Sequence, residues 1–354
     1  RPVARLARAR FMLIRCATAN DLDQLLDISA SIPTGMTSMP FDKAVWEKRL
    51  AAVETDLQKP PDLDLERNYL LVLEDPESSR IVGTAGIKTA VGLTYPFYNY
   101  RLSSEVKISQ ELEIRSSTKL LNLMNDFTGQ TELISLFLLS EYRSRHTGKF
   151  LSLCRFLFMS DFPERFSDVI FAEIRGWLNQ QGKSPFWESV GRKFFKLPFA
   201  RADYLNAVHG SGFISDLMPR FPLYLELLPE EAIEVIGKPH DDAVPAKKIL
   251  EHEGFRCEGV VDIFDGGPIM QCHRDNIRSM KQIRLMTIDS LTTRRGDEVN
   301  QPLCILSNRR LKDYRLTLSY ADFFNEDSLA IPKSTAELLG VEVGNTIRLL
   351  EVRS

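Results

Sequence analysis

The chain has 354 residues, a formal charge of −3 at neutral pH and 44% hydrophobic side chains. That length permits two domains or slightly more, with cores large enough to fold without a disulfide or metal staple. So small a net charge supplies no field for nucleic acid or an anionic membrane, and the apolar runs are too short and too interrupted to span a bilayer. The expectation is a soluble, cytoplasmic enzyme. Cys16, Cys154, Cys257, Cys272 and Cys304 form no CxxC pair and read as reduced thiols, most of them buried.

In chain order, residues 1–11 are rich in Arg and Ala but carry no h-region or cleavage site, and are set apart as an extension of unknown role. Leu13 to Ala17 reads as a strand and Thr18 as an N-cap, with Leu22, Leu25, Leu26 and Ile28 at helical spacing. The stretch PTGMTSMP (33–40) is a loop, and a polar helix runs from Asp42 to about Asp56. Tyr69 to Leu73 and Ile81 to Val91 are strands joined by EDPESSR, where Pro76 presets a turn dihedral and Asp75 closes an Asx-turn. Residues 92–131 are less periodic. ELISLFL (132–138) is a strand, Arg143 to Gly148 a basic loop, and an apolar helix follows from Lys149. Val169 to Arg175 is a further strand, and SPFWESVGRKFF (184–195) a helix ending in an aromatic strand.

Helix, Glu-Gly-Phe and strand recur in PAKKILEHEGFRCEGVVDIFDGGP (245–268), which suggests two related halves. The last segment differs: LAIPKSTAELLGVEVGNTIRLLEV alternates strand-like runs with Pro332, Gly340 and Gly344, as in a small β-barrel with one short helix. The expected fold class is α/β (α+β), with two halves of mixed sheet flanked by helices and a small C-terminal β-rich domain. The divisions fall at 1–11, 12–200, 201–280 and 281–354.

A strand that empties into a loop at the start of a helix is a place to hold pyrophosphate, because helix amides and the helix dipole both favour anions. The order β-α-α-β-β-β-α-β-α-β resembles the GNAT acyltransferase fold. The loop Arg143, Ser144, Arg145, His146, Thr147, Gly148 stands where that superfamily keeps its Arg/Gln-x-x-Gly-x-Gly/Ala cradle, with His146 in place of the first glycine. Together with FWESVGRKFF, ADYLNAV, IGKPH and IFDGGP, the chain from Met12 onward resembles the arginine N-succinyltransferase family.

That resemblance implies transfer of a succinyl group from succinyl-CoA to the α-amino group of L-arginine, the first step of arginine breakdown by the succinyl route. Succinyl-CoA is then a co-substrate, with no permanently bound cofactor. Some members of the family act as two different subunits, so a homo-oligomer and a paired related subunit both stay open. The resemblance places a succinyl-CoA contact at Leu136 and the proton donor at His240. The alternatives are an acyl-CoA-dependent transferase for another amine, such as ornithine, or a member that binds acyl-CoA without turnover.

Residue types support the same chemistry. An amine attacks a thioester, an oxyanion develops, and coenzyme A leaves as a thiolate that needs either a proton or a positive field. The backbone of Leu136 to Leu138 is the candidate wall for thioester and pantetheine, with the leucine side chains in the core. Histidine is the simplest proton carrier near neutral pH, and His240 lies in a Pro-rich loop after IGKP, whereas His146, His209, His252 and His273 have no comparable support. Glu173, Asp262 and Asp265, at strand ends, are candidates for holding arginine, or else structural salt bridges. Arg143, Arg145 and Arg175 are equal candidates for the succinyl carboxylate. No Cys/His cluster has metal spacing, no GxGxxG follows a strand, and no Gly-x-Ser-x-Gly elbow is present. The pair Lys247 and Lys248 and the run Arg309, Arg310, Lys312 are too short for a nucleic-acid stripe.

Overall fold

The computed structural model describes residues 12–32, 36, 38–210, 212–293 and 301–352, and the side chains of Arg145, His209 and Ser215 are outside the described set. The segment 1–11 and part of the loop 33–40 therefore lie outside the described residues.

Local sequence sets the opening. Strand β1 (Leu13–Cys16) ends at Thr18, whose backbone N–H donates to Asp21 Oδ2 at 2.8 Å in a capping box that starts the turn into helix α1 (Leu22–Ala30). Asp42 caps α2 (Lys43–Gln58) by accepting from Val45 N at 3.0 Å. The expected hairpin follows as β2 (Arg67–Asp75) and β3 (Arg80–Thr89), paired antiparallel from Arg67↔Thr89 to Asp75↔Arg80.

The region read as aperiodic is a second, longer hairpin, β4 (Asn99–Ser109) and β5 (Ile114–Met124). Its pattern was hidden because the outer half stands in water on both faces: Val106, Ile108, Leu112 and Ile114 are all exposed. Alternation arises only where one face is buried.

Next come β6 (Thr131–Leu138), α3 (Arg145–Asp161) and β7 (Val169–Glu173). Helix α3 begins at Arg145, four residues before the sequence suggests, because Ser144 caps it by accepting from Thr147 N at 3.2 Å. The basic stretch 145–148 is thus the first helical turn.

A second correction concerns 184–195, which forms two short helices, α4 (Pro185–Ser189) and α5 (Gly191–Phe195), and no strand. The Trp187 ring lies so close over Gly191 that a Cβ there would fall 2.3 Å from it. The same ring stacks on Phe195 at 5.4 Å between centroids, which keeps the aromatic pair on a helix. The likeness between this segment and 245–268 therefore extends to the helix only.

Helices α6 (Phe199–His209) and α7 (Gly212–Leu217), strand β8 (Leu223–Tyr224) and helix α8 (Glu230–Ile233) lead to α9 (Val244–Glu253), β9 (Arg256–Asp262), β10 (Pro268–His273) and α10 (Arg278–Gln282). The C-terminal part is β-rich as expected: β11 (Arg284–Thr292), β12 (Leu303–Ser307), β13 (Arg315–Tyr320), β14 (Asp322–Phe323), β15 (Ser328–Pro332) and β16 (Thr346–Glu351), with one helix, α11 (Lys333–Leu339). It does not close into a barrel among the described residues, because β13 pairs outward with β1.

Among the described residues, sixteen strands join one mixed sheet in the order β14-β15-β11-β16-β12-β13-β1-β2-β3-β6-β7-β10-β9-β4-β5-β8. The main core packs α1, α2 and α3 on its centre around Trp46, Phe150, Phe156 and Phe158. A second core gathers Trp187, Phe186, Phe195 and Phe264 near the β9–β10 turn, and a third fills the C-terminal part. No helix among the described residues is long and apolar enough to cross a membrane.

Asp161, at the end of α3, ties the C-terminal strands to this body. Its fully buried carboxylate accepts from Ser307 Oγ at 2.6 Å, Tyr314 Oη at 2.8 Å and Arg348 Nε at 2.7 Å, and Arg309 Nε lies 3.4 Å away. Removing one partner of such a set strands the others. Asp161→Ala is expected to lose roughly 2–4 kcal/mol of stability in urea unfolding, with the C-terminal strands the first to lose hydrogen-exchange protection.

Candidate active site

Strands β6 and β7 are neighbours and parallel, yet they pair only at Thr131↔Ile170 and Glu132↔Phe171. Beyond that point each is held on its outer side alone, β6 by β3 through Gly83↔Leu138 and β7 by β10 from His273↔Val169 to Ile269↔Glu173. Past that point the two strands share no ladder, so the backbone on their facing edges is unladdered, and this gap is the candidate cleft. A bulge deepens the divergence: the β3–β6 register shifts between Thr84 and Gly86, and Ser135 sits in it with φ +53°. Thr84 Oγ1 donates to Ser135 O at 2.7 Å and fixes the bulge from below.

Leu136 and Leu138 lie on the β6 wall, with side chains packed against the main core. Arg143 Nε donates to Leu138 O at 3.1 Å, so this arginine folds back over the end of the same strand. Within the first turn of α3, Gly148 N donates to Ser144 O at 3.0 Å. A Cβ on Gly148 would meet nothing within 4 Å, so the glycine leaves room at the helix start and is not required by packing. Arg145 opens the helix, and its side chain is outside the described residues.

The β7 wall brings the other predicted residues together. Gly176 N donates to Asp265 Oδ2 at 2.7 Å, His240 N donates to Arg175 O at 2.8 Å, and Pro239 bridges Gly176. These contacts fold the IGKPH loop and the IFDGGP turn onto the strand end that carries Glu173 and Arg175. The turn is built by its own acids: Asp262 Oδ1 accepts from Phe264 N and Asp265 N, both at 2.8 Å, and Asp265 Oδ1 accepts from Gly267 N at 2.8 Å. A Cβ on Gly267 would lie 2.1 Å from Ile174 O, so only glycine lets the turn approach β7 this closely. Asp262 and Asp265 thus brace backbone, the structural role that the sequence reading left open, though through amides and not a salt bridge.

Glu173 is less committed. Its Oε1 accepts from Asn99 Nδ2 at 3.3 Å, and the Asn99 Oδ1 and Arg175 Nε atoms are buried with no hydrogen-bond partner. Burial and the nearby charges of Asp262, Glu132 and Asp265 hold the Glu173 carboxyl well above the usual range. Asp262 is raised likewise by burial and by Asp265, and Asp265 is raised by burial against the pull of its amide donors. This concentration of acid with so few cations suits a cationic ligand.

At His240, Nδ1 accepts from Asp242 N at 3.2 Å, which leaves the proton of the neutral ring on Nε2. The Asp242 carboxylate stands 3.8 Å from Nδ1. Burial and the charge of Arg175 lower the pKa of the ring, so its imidazolium is a stronger acid than free histidine. Sequence reasoning did not single out Asn99, Glu132 or Ser135. Asn99 opens the hidden hairpin, and Glu132 and Ser135 lie inside a strand whose apolar pattern draws attention to its leucines.

No group of three or more His, Cys, Asp or Glu side chains is arranged to hold a metal among the described residues. Comparison with known proteins gives concordant matches. The family model described as arginine N-succinyltransferase beta subunit matches residues 12–279, and that of its C-terminal domain matches residues 284–351. An arginine N-succinyltransferase of Yersinia pseudotuberculosis is 39% identical over 344 residues, 96% of this chain and 98% of its own. One from Escherichia coli is 36% identical over 342 residues, with the same coverage. A solved structure, arginine/ornithine succinyltransferase subunit AI from Pseudomonas aeruginosa, superposes with a TM-score of 0.87 at 32% identity, covering 98% of this chain and all of that one.

Glu132, the last paired residue before the cleft, yields a pH test. Burial, with Glu66 adding to it and Lys88 opposing it, pushes its carboxyl up to about 7 from an ordinary 4.5. Because the folded value is the higher, the fold favours the neutral acid, and stability falls as pH rises from about 4.5 through about 7. Glu132→Gln is expected to flatten the wild-type decline in unfolding free energy between pH 5 and pH 8, by on the order of 3 kcal/mol, as read from urea denaturation.

Proposed function

The chain belongs to the arginine N-succinyltransferase family, and from that membership and the cleft geometry we propose that it transfers the succinyl group of succinyl-CoA to the α-amino group of L-arginine. The products are N2-succinyl-L-arginine and CoA, and the step is the first in arginine catabolism by the succinyltransferase pathway. The observation that carries the reading is the divergence of β6 and β7 after Glu132↔Phe171, with anion-favouring groups along one wall and acids along the other.

On the β6 side, the backbone at Leu136 holds the thioester and pantetheine, with Leu138 continuing the wall. The start of α3 receives the pyrophosphate, where the helix dipole favours negative charge. Arg143, and Arg145 from its place in the first turn, add positive charge, and Gly148 adds room. On the β7 side, Glu173 and the unpartnered Asn99 Oδ1 receive the arginine guanidinium, Asp262 and Asp265 shape the turn behind them, and Arg175 offers its Nε to the α-carboxylate.

The amine attacks the thioester carbonyl, an N–C bond forms, and the C–S bond breaks. His240 in its imidazolium form donates the Nε2 proton to the leaving thiolate and is left neutral, and the proton shed by the attacking amine restores the imidazolium, so the net proton movement is from nitrogen to sulphur. A ring whose pKa is lowered by burial and Arg175 releases that proton readily.

We divide the chain at 12–200, 201–280 and 281–354; the break between the family models for 12–279 and 284–351 supports the last of these boundaries. The cytoplasm is the compartment this reading favours, in keeping with five unpaired thiols. The subunit label of the Pseudomonas aeruginosa structure favours assembly as a homo-oligomer or with a related subunit.

Thiol release from succinyl-CoA with arginine, with ornithine and with no amine tests the reaction. Release with arginine is expected; release only with ornithine favours the other amine, and protection against heat without release favours a binding protein. His240→Ala is expected to cut turnover at least ~100-fold while heat protection by succinyl-CoA persists. Undiminished turnover removes His240 from the role.

A further inference from the structure

The sequence offered Arg143, Arg145 and Arg175 for the carboxylate at the far end of the succinyl group, but a different arginine sits at the bulge. Arg49 reaches from α2 to β6, where Nη2 donates to Ser135 Oγ at 2.8 Å and Nη1 donates to Ser38 O. Its guanidinium carbon lies 5.1 Å from the centroid of the Trp46 ring. Underneath is Gly86 of β3, where a Cβ would lie 3.3 Å from Arg49 Nη2 and 2.9 Å from Ile134 Cγ1, so the glycine makes the seat for the guanidinium.

This cation has no carboxylate partner among the described residues. The guanidinium is half-buried, and the loss of water around it draws its pKa down to about 10 with no anion to offset the shift. Withdrawing a guanidinium from water costs free energy that a counterion normally offsets. The other candidates are engaged differently. Arg143 bonds to Leu138 O, and Arg175 stands among Asp265, Asp242 and Asp203. Arg155, also buried without an acid, turns back onto Ser152 of its own helix.

We infer that Arg49 is the specificity-determining residue that receives the succinyl carboxylate, so that the enzyme selects dicarboxylic acyl-CoA thioesters over neutral ones. Two methylenes separate the thioester carbon from that carboxylate, so its receptor must stand one side chain away from the backbone that holds the thioester. Arg49, bonded to Ser135 next to Leu136, has that position. Ser135 and Ser38 orient the guanidinium fork, and the fork suits the two oxygens of a carboxylate.

The inference rests on the cleft being the succinyl-CoA site. The test compares kcat/KM for succinyl-CoA and butyryl-CoA, which have the same chain length with and without the charge, in wild type, Arg49→Gln and Arg49→Lys. The preference for succinyl-CoA is expected to fall roughly 100-fold in Arg49→Gln and less in Arg49→Lys, which keeps the charge and loses the fork. An unchanged preference in a folded variant overturns the inference, as does a crystal structure of the wild-type protein with succinyl-CoA whose carboxylate lies against Arg175 or Arg143. A carboxylate within hydrogen-bond distance of Arg49 supports it even if the variants do not fold. Wild-type protein that neither binds nor turns over succinyl-CoA defeats the proposed function instead, so the two failures are distinguishable.

Discussion

The divergence of two parallel strands organises this molecule. A parallel ladder normally continues for as long as both strands do, and here it stops after two pairs because each strand is more firmly held elsewhere. β6 is bent by the bulge at Ser135 against β3, and β7 is zipped to β10 over five residue pairs. The edges that face one another lack ladder partners, and backbone groups withdrawn from water require some partner. A flexible ligand with amides of its own, such as pantetheine, satisfies them as a third strand does. The rigidity of the outer pairings keeps the gap from closing when it is empty.

Charge is sorted across that gap. Arg49, Arg143 and the amino end of a seventeen-residue helix stand on the β6 side, while Glu173, Asp262 and Asp265 cluster at β7 and the turn docked on it, with Glu132 near them at the start of β6. In the proposed reaction, a polyanionic thioester and a cationic amino acid are drawn to opposite walls. The two loops that complete the β7 side come from distant sequence, and they dock through backbone contacts at Gly176, Gly266 and Gly267 that side chains would block.

Much of this was legible in the sequence wherever a local signal exists. Thr18 and Asp42 announce their helices because capping is read by the next three residues, and the first hairpin is set by Pro76 and Asp75. The elements of the cleft were also legible: ELISLFL gave β6, and IGKPH and IFDGGP marked the loops that do meet. What was missed depends on tertiary context. The β4–β5 ribbon has no buried face along its outer half, so it carries no period. The helical state of Phe194 and Phe195 follows from the indole lying on Gly191, a long-range fit that makes an apparently β-rich run helical. Arg49 had no signal at all, since a lone arginine on a polar helix reads as solvated surface, and only the bulge opposite gives it a role.

The acids on the β7 wall raise a question about the nucleophile, because a field that attracts a cation also keeps an amine protonated. Their own state answers part of it. Burial and mutual repulsion hold Glu173, Asp262 and Glu132 above ordinary carboxyl values, so the empty cleft carries fewer negative charges than its count of acids. In the proposed complex, a guanidinium beside Glu173 favours the ionised form of its carboxyl, which gives up a proton. The guanidinium then absorbs the charge it has induced, and the α-amino group, one side chain's length away, feels a smaller net field than the acids alone suggest. At His240, burial and the charge of Arg175 weaken the ring's hold on its second proton, and once that proton has gone the Asp242 amide leaves the remaining one on Nε2. In the proposed reaction, proton transfer from amine to thiolate then passes through an imidazolium that gives up its proton easily, a property that traces to Arg175 at the end of β7 and to the loop docked on it.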